Sequence, residues 1–106
     1  MLFIETSVFT SDVSSHLDDH EYLSLQVYLA EHPEAGDLIE DTGGLRKIRW
    51  AAKGKGKSGG VRVIYYYYYA VSASQIRLLL IYRKGIHDTL TKKQKAVLRS
   101  LNQGWK

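Results

Sequence analysis

The stretch from Gly43 to Tyr69 constrains the fold of this 106-residue chain more than any other part of the sequence. Its two ends are rich in β-branched and aromatic residues, and Leu45 to Trp50 alternates with period two, so both ends are predicted to be strands. The loop between them reads A-A-K-G-K-G-K-S-G-G. Because glycines allow close approach and lysines neutralise phosphates, this unit fits a polyanion such as a nucleic-acid backbone.

Helices are predicted on the N-terminal side of this stretch. Asp18 or Asp19 is a suitable N-cap for an amphipathic helix that ends near Glu31. A weaker signal places a short helix before it, beginning at Ser7 or Thr10. The acidic residues that follow the second helix are predicted to form a connector.

A third strand and a final helix are predicted on the C-terminal side. Gln75 to Tyr82 is strand-like, and its apolar run Leu78 to Ile81 indicates a central strand that is buried on both faces. Thr91 with Gln94 matches a T-x-x-Q capping box, which predicts the start of the last helix.

The predicted fold is one α+β domain over residues 1–106. It has a short strand at residues 2–5, one or two helices, an antiparallel three-stranded meander and a C-terminal helix, with the helices packed mainly on one face of the sheet. In the first meander strand Ile48 and Trp50 are expected to point inward. Lys47 and Arg49 then share the opposite, uncovered face with the loop lysines.

Charge divides the chain into two halves. Ten of its 11 acidic residues lie in residues 1–41, and all 15 Lys and Arg residues lie in residues 42–106. This separation favours one acidic and one basic surface, and a nucleic acid as the partner of the basic one. The alternative is that the two halves pair internally as solvated faces.

Composition and spacing exclude several functions. Cysteine is absent and the four histidines lack the spacing of zinc ligands, so neither a metal nor another cofactor is expected. The lysine loop fails the Walker pattern because Ala51 stands where its first glycine is required. No apolar run reaches transmembrane length and the first residues lack a basic signal-peptide region, so a soluble cytoplasmic protein without a membrane partner is expected.

Three features leave alternatives open. Arg62 lies inside an apolar strand, where either a bidentate phosphate contact or a salt bridge to the acidic half would satisfy it. Alternation places Tyr66 and Tyr68 on the Arg62 face, where they either stack on bases or pack in the core. His87, near Lys84, is either a general acid or an ordinary loop histidine.

Three segments together resemble the RelE/ParE toxin superfamily, most closely its HigB-type members. They are L-R-K-I-R, then K-G-K-G-K-S-G-G-V-R-V-I-Y-Y, then L-L-I-Y-R-K-G with D-x-L after it. The resemblance covers nearly the whole chain, and the predicted strand order agrees with it. It implies a RelE-like fold and a small toxin of a type II toxin–antitoxin pair, an mRNA interferase that cleaves mRNA in the ribosomal A site.

The resemblance and the chemistry of the residues together give the candidate site. The catalytic candidates are Arg62, Lys84, Lys57, Lys55 and His87. The RNA-binding candidates are Arg46, Lys47, Arg49, Lys53, Arg83 and Tyr66. In the family mechanism the RNA supplies its own nucleophile, the 2′-OH, and no metal is needed. Crowded cations lower one another's pKa, which makes Lys55 or Lys57 the candidate base.

The chain departs from the family after Lys84. Some ribosome-dependent members carry a further arginine where this chain has Gly85, and then a catalytic tyrosine where it has Leu90 and Thr91. The proton donor is then His87 or Lys84. Other branches bind gyrase and lack the full basic set, so a non-catalytic gyrase-binding toxin or an RNA-binding module is the alternative function.

The resemblance also implies partners. These are a cognate helix-turn-helix antitoxin, the 70S ribosome with its mRNA, and DNA only through the antitoxin complex. The antitoxin is expected to dock on the acidic helical side, near Asp18, Asp19 and Glu21, because Tyr22 to Leu29 offers an amphipathic helix surface there.

Overall fold

A five-stranded mixed sheet lies at the centre of the molecule. The computed structural model describes residues 1–52, 60–85 and 89–105. In chain order the elements are β1 (Leu2–Glu5), α1 (Ser7–His16), α2 (Asp19–Glu31), β2 (Asp37–Leu38), β3 (Arg46–Trp50), β4 (Val61–Tyr68), β5 (Gln75–Arg83) and α3 (Lys92–Gln103). The predicted α+β class is confirmed.

Each helix begins after a side chain that caps its free backbone N–H groups. At α1, Thr6 accepts a hydrogen bond from the Phe9 N–H at 3.0 Å. Reciprocal capping boxes begin the other two helices, with the pairs Asp18–Glu21 at α2 and Thr91–Gln94 at α3. The predicted caps of α2 and α3 are confirmed, and α1 begins at Ser7, one of its two predicted starts.

The strands lie in the order β1-β5-β4-β3-β2. β1 pairs in parallel with β5, and the other three pairs are antiparallel, so the predicted meander of β3, β4 and β5 is confirmed. β2 was predicted as an acidic connector. It is only two residues long, and its strand geometry comes from pairing with β3 rather than from its own sequence.

Helices cover both faces of the sheet, which corrects the prediction that they pack mainly on one. The two-helix face carries Ile48, Val63, Tyr65, Ile76 and Leu78, which pack against Phe9, Leu25 and Leu29 of α1 and α2. The α3 face carries Leu45, Ile64, Leu79 and Tyr82, which pack against Leu98 of α3. Because β4 and β5 are apolar on both sides, a second covering layer keeps the other face out of water.

A β-bulge in β5 changes which face its side chains reach. Ile64 pairs with Leu80, but the next residue, Tyr65, pairs with Leu78, so Leu79 is an extra residue in the ladder. Side chains alternate between faces along a strand, and one extra residue reverses this order. Even-numbered residues of β5 therefore point to the two-helix face before the bulge and to the α3 face after it.

Arg77 joins α3 to the sheet. Its side chain is 9% exposed, and its guanidinium donates to both the backbone and side-chain oxygens of Asn102 at 3.4 Å. Its Cζ atom lies 5.1 to 5.7 Å from the ring centroids of Tyr66, Tyr68 and Trp105. Aromatic faces and neutral acceptors thus surround this cation, and we call this arrangement the Arg77 clamp.

Arg77→Ala is expected to lower the free energy of unfolding by about 2–4 kcal/mol, because hydrogen bonds from a charged donor and the aromatic contacts are lost together. Arg77→Met should lose less, since methionine keeps much of the packing and removes a charge that is costly to bury. Urea denaturation measures both, with exposed Lys92→Ala as the control. An Arg77→Ala loss no larger than that of the control contradicts the clamp.

Candidate nucleic-acid interface

Two arginines and a tyrosine lie side by side across the meander. Arg49 of β3 pairs directly with Arg62 of β4, which in turn pairs directly with Tyr82 of β5. Directly opposed residues share a face, and their Cβ atoms lie about 4.5–5.5 Å apart. Arg49, Arg62 and Tyr82 therefore form one row on the α3 face, which we call the central row.

Two lysines flank the central row. Lys47 stands two residues before Arg49 and shares its face, as predicted. The N–H of Lys84 donates to the carbonyl oxygen of Gly60 at 3.2 Å, which extends the β4–β5 ladder by one pair. Continued alternation places Lys84 on the side of Arg62. Lys47, Arg49, Arg62 and Lys84 together are the basic surface.

Arg62 is more deeply buried than Arg49 and Lys84. Its side chain is 9% exposed, whereas Arg49 and Lys84 are exposed. One guanidinium nitrogen, Nη1, donates to the carbonyl oxygen of Val61 at 3.4 Å. Because arginine stays charged in proteins, an anion that reaches Arg62 meets a full positive charge at a site of reduced dielectric. The attraction there is stronger than at the exposed members of the basic surface.

The lysine-rich loop leaves and re-enters the sheet beside the central row. Trp50 pairs with Val61, next to the pair Arg49–Arg62. A Cβ atom on Gly60 would lie 2.1 Å from the carbonyl oxygen of Trp50, so a glycine is required where the two segments approach. Lys53, Lys55, Lys57 and His87 lie outside the described residues, and their roles stay predictions.

Arg46 lies on the opposite face from the basic surface. It pairs with Tyr65 on the two-helix face, and its guanidinium donates to the carbonyl oxygen of Gly36 at 2.8 Å. The carboxylate of Glu34 lies 3.4 Å away. The Tyr65 hydroxyl accepts from the Gly36 N–H at 2.9 Å and donates to the carbonyl oxygen of Pro33 at 2.8 Å, and burial raises the pKa of this tyrosine. Arg46 thus helps to fix the connection between α2 and β2.

Arg83 also lies across the sheet from Arg62. It pairs with Val61, a core residue of the two-helix face. Simple alternation would set Arg83 on the α3 face, but the bulge at Leu79 reverses the order, and Tyr82 lies beside Arg62 instead. Sequence reasoning missed Tyr82 because alternation within β5 gives no sign of an extra residue.

Tyr66 shares the α3 face with Arg62, as predicted, but its ring is in contact with the protein. It packs against the cluster that contains Leu98, and its ring centroid is 5.6 Å from Cζ of Arg77. Its Cε1 atom lies 3.2 Å from the position that a Cβ on Gly44 would take. Stacking on a base would require the tyrosine to give up these contacts.

One acid lies at the edge of the basic surface. Asp37 of β2 pairs directly with Lys47, and both residues line a recess of about 280 Å³ together with Arg49. The sequence favours separate acidic and basic surfaces, and residues 42–87 contain no Asp or Glu. The short strand β2 instead brings one carboxylate from the acidic half to this edge.

A second feature, the α2 groove, lies on the outer side of that helix. The side chains of Leu23 and Val27 are 58% and 50% exposed, and together with Trp50 they line a groove of about 450 Å³. His20 and Glu31 also line it. An exposed apolar strip with ionisable residues beside it is typical of a surface that binds another protein.

Within residues 1–52, 60–85 and 89–105, no group of three or more His, Asp or Glu residues is placed to hold a metal ion. No helix in this part of the chain is long and apolar enough to cross a membrane. No family model matches the sequence. A functional assignment therefore depends on the basic surface and on the sequence resemblance.

Proposed function

We propose that this protein is the toxin of a type II toxin–antitoxin system, a ribosome-dependent endoribonuclease that cleaves mRNA in the A site. The observation that carries the proposal is the basic surface, where three adjacent strands bring Lys47, Arg49, Arg62 and Lys84 onto one face. Cations spaced across a sheet in this way match the phosphates of an RNA strand. The resemblance to the RelE/ParE superfamily supports the proposal separately.

The proposed chemistry is transfer of a phosphoryl group within the RNA. The 2′-OH attacks the adjacent phosphorus, a new O–P bond forms, and the bond to the 5′-oxygen of the next nucleotide breaks. Arg62 and Lys84 stabilise the negative charge that develops on the phosphate. Lys55 or Lys57 accepts the 2′-OH proton, and His87 or Lys84 donates a proton to the leaving oxygen. This scheme requires no metal and no cofactor.

The proposed partners follow from the same assignment. The 70S ribosome presents the mRNA in the cytoplasm, and a cognate helix-turn-helix antitoxin binds the toxin and inhibits it. DNA is contacted only through the antitoxin complex, and no membrane takes part. Arg46 and Arg83 are assigned no RNA contact, because they lie across the sheet from the basic surface.

One observation favours a second candidate, a gyrase-directed toxin or an RNA-binding module without catalysis. Gly85 stands where some ribosome-dependent relatives carry an arginine, and its φ of 90° is one that side-chain-bearing residues rarely adopt. The backbone of the turn after β5 therefore favours glycine over arginine at this position. Primer extension on mRNA from cells that express the protein decides between the candidates. Discrete cuts within codons support the nuclease, and DNA damage without cuts supports the gyrase-directed toxin.

Arg62→Gln and Arg62→Ala are expected to reduce mRNA cleavage at least about 100-fold, because a preorganised charge at the phosphate is lost. Primer extension measures the cleavage, and circular dichroism establishes that each variant is folded. Lys92→Ala is the matched control, since it removes an exposed cation from α3. A folded Arg62→Gln variant that cuts at the wild-type rate would remove Arg62 from the proposed site.

Binding to ribosomes is expected to weaken steeply as salt rises, because phosphate contacts release counterions. The logarithm of the binding constant should fall with that of the salt concentration at a slope of about −0.7 for each contact with single-stranded RNA. Replacing both Lys47 and Arg49 by alanine should flatten the slope by about 1 to 1.5. Sedimentation at several salt concentrations measures this, and an unchanged slope contradicts phosphate contacts by these residues.

The antitoxin is expected to dock on the α2 groove. Leu23→Ser with Val27→Ser should weaken the complex at least about tenfold, because both side chains are exposed apolar contacts. Asp19→Lys reverses one charge on this side of the molecule but keeps the Asp18–Glu21 capping box, and it should also weaken the complex. Lys55→Ala with Lys57→Ala should leave the affinity intact. Calorimetric titration measures each variant, and the reverse pattern would show that the antitoxin covers the basic surface instead.

A further inference from the structure

We propose that Tyr82 is a positioning residue that holds Arg62 in place to bind phosphate. The role in phosphate binding rests on the proposed nuclease function. The restriction of the Arg62 side chain concerns only the central row and does not depend on that function. The family resemblance includes Tyr82 in the segment L-L-I-Y-R-K-G but assigns it no role. Three observations carry the proposal: its place in the central row, its burial and the bulge that puts it there.

The central row gives Arg62 two very different neighbours. On the β3 side lies Arg49, a cation directly opposite in the ladder. Like charges in directly opposed positions repel, so Arg49 favours conformations in which the Arg62 side chain turns away from it. On the β5 side lies Tyr82, the residue directly opposite Arg62 in the ladder. The ring therefore limits how far Arg62 can turn.

The burial of Tyr82 and Arg62 restricts the motion of both side chains. Tyr82 is 5% exposed and packs in the cluster of Leu45, Ile64, Leu79 and Leu98, so its ring has little freedom to move. Arg62 is itself 9% exposed. A long side chain between a fixed ring and a repelling cation keeps few rotamers. A phosphate that binds between Arg49 and Arg62 relieves the repulsion and finds the second guanidinium already in position.

The bulge is what places Tyr82 in the row. If the register of Tyr65 with Leu78 continued as a regular ladder, Ile81 would lie opposite Arg62 and Tyr82 would point to the two-helix face. The extra residue Leu79 moves the pairing by one position. Bulges are known to redirect side chains next to functional sites, and here the redirected side chain is the neighbour of the deepest cation of the basic surface.

Side-chain NMR on Arg62 tests the positioning without any assay of activity. The Nε–Hε resonance of Arg62, assigned by its absence in Arg62→Lys, should exchange slowly with water in the wild-type protein. Tyr82→Leu should accelerate this exchange at least about tenfold, because the guanidinium then moves into solvent. Tyr82→Phe should keep it slow, since the ring remains. The exposed Tyr69→Leu should leave it unchanged.

A further control separates positioning from general loss of stability. Leu25→Ala removes a buried side chain of α2 on the opposite face of the sheet, so it should lower stability without accelerating the Arg62 exchange. Equal acceleration in Leu25→Ala and Tyr82→Leu would overturn the proposal. So would slow exchange in a folded Tyr82→Leu variant.

Cleavage kinetics then connect the positioning to the proposed function. Tyr82→Leu should lower kcat about tenfold or more while KM stays within about twofold, and Tyr82→Phe should restore most of the rate. If the wild-type protein cuts no RNA, the nuclease proposal fails while the NMR result still decides the role of Tyr82. If the wild-type protein cuts RNA and both Tyr82 variants match it in rate, the positioning role fails alone.

Discussion

The pairing of β4 with β5 is the constraint on which the rest of the structure depends. Both strands are buried over most of their length and carry apolar side chains on both faces, so neither face can be left in water. α1 and α2 cover one face. α3 covers part of the other, where the Arg77 clamp holds it. Because the basic surface shares that second face, the position of α3 decides how much of the face a ligand can reach.

Much of this arrangement could be predicted because it depends on local rules. The caps at Asp18 and Thr91 could be predicted, because a short polar side chain before an amphipathic run is favourable as a helix N-cap. The alternation in β3 correctly separated Ile48 and Trp50 from Lys47, because this strand contains no irregularity. The resemblance to a toxin family lies in the sequence alone and supports the proposed activity separately from the basic surface.

The parts that could not be predicted depend on pairs of elements. β2 has no strand signal of its own and exists because β3 is beside it. The covering of the second face by α3 depends on how the whole sheet is buried. The bulge at Leu79 is a property of the β4–β5 ladder, and it reverses the expected sides of Tyr82 and Arg83. At this bulge Tyr82 joins the candidate site and Arg83 leaves it, although the strand itself was correctly predicted.

The parallel strand β1 has a consequence for the order in which the molecule can form. The Thr6 hydroxyl, just after β1, donates to the carbonyl oxygen of Leu79, 73 residues later in the chain. During synthesis β1 and α1 emerge while their partner strand has not yet been made, and such distant pairing forms slowly. The central row is also incomplete until Tyr82 has left the exit tunnel. The row of Arg49, Arg62 and Tyr82 thus forms only after β5 has been synthesised.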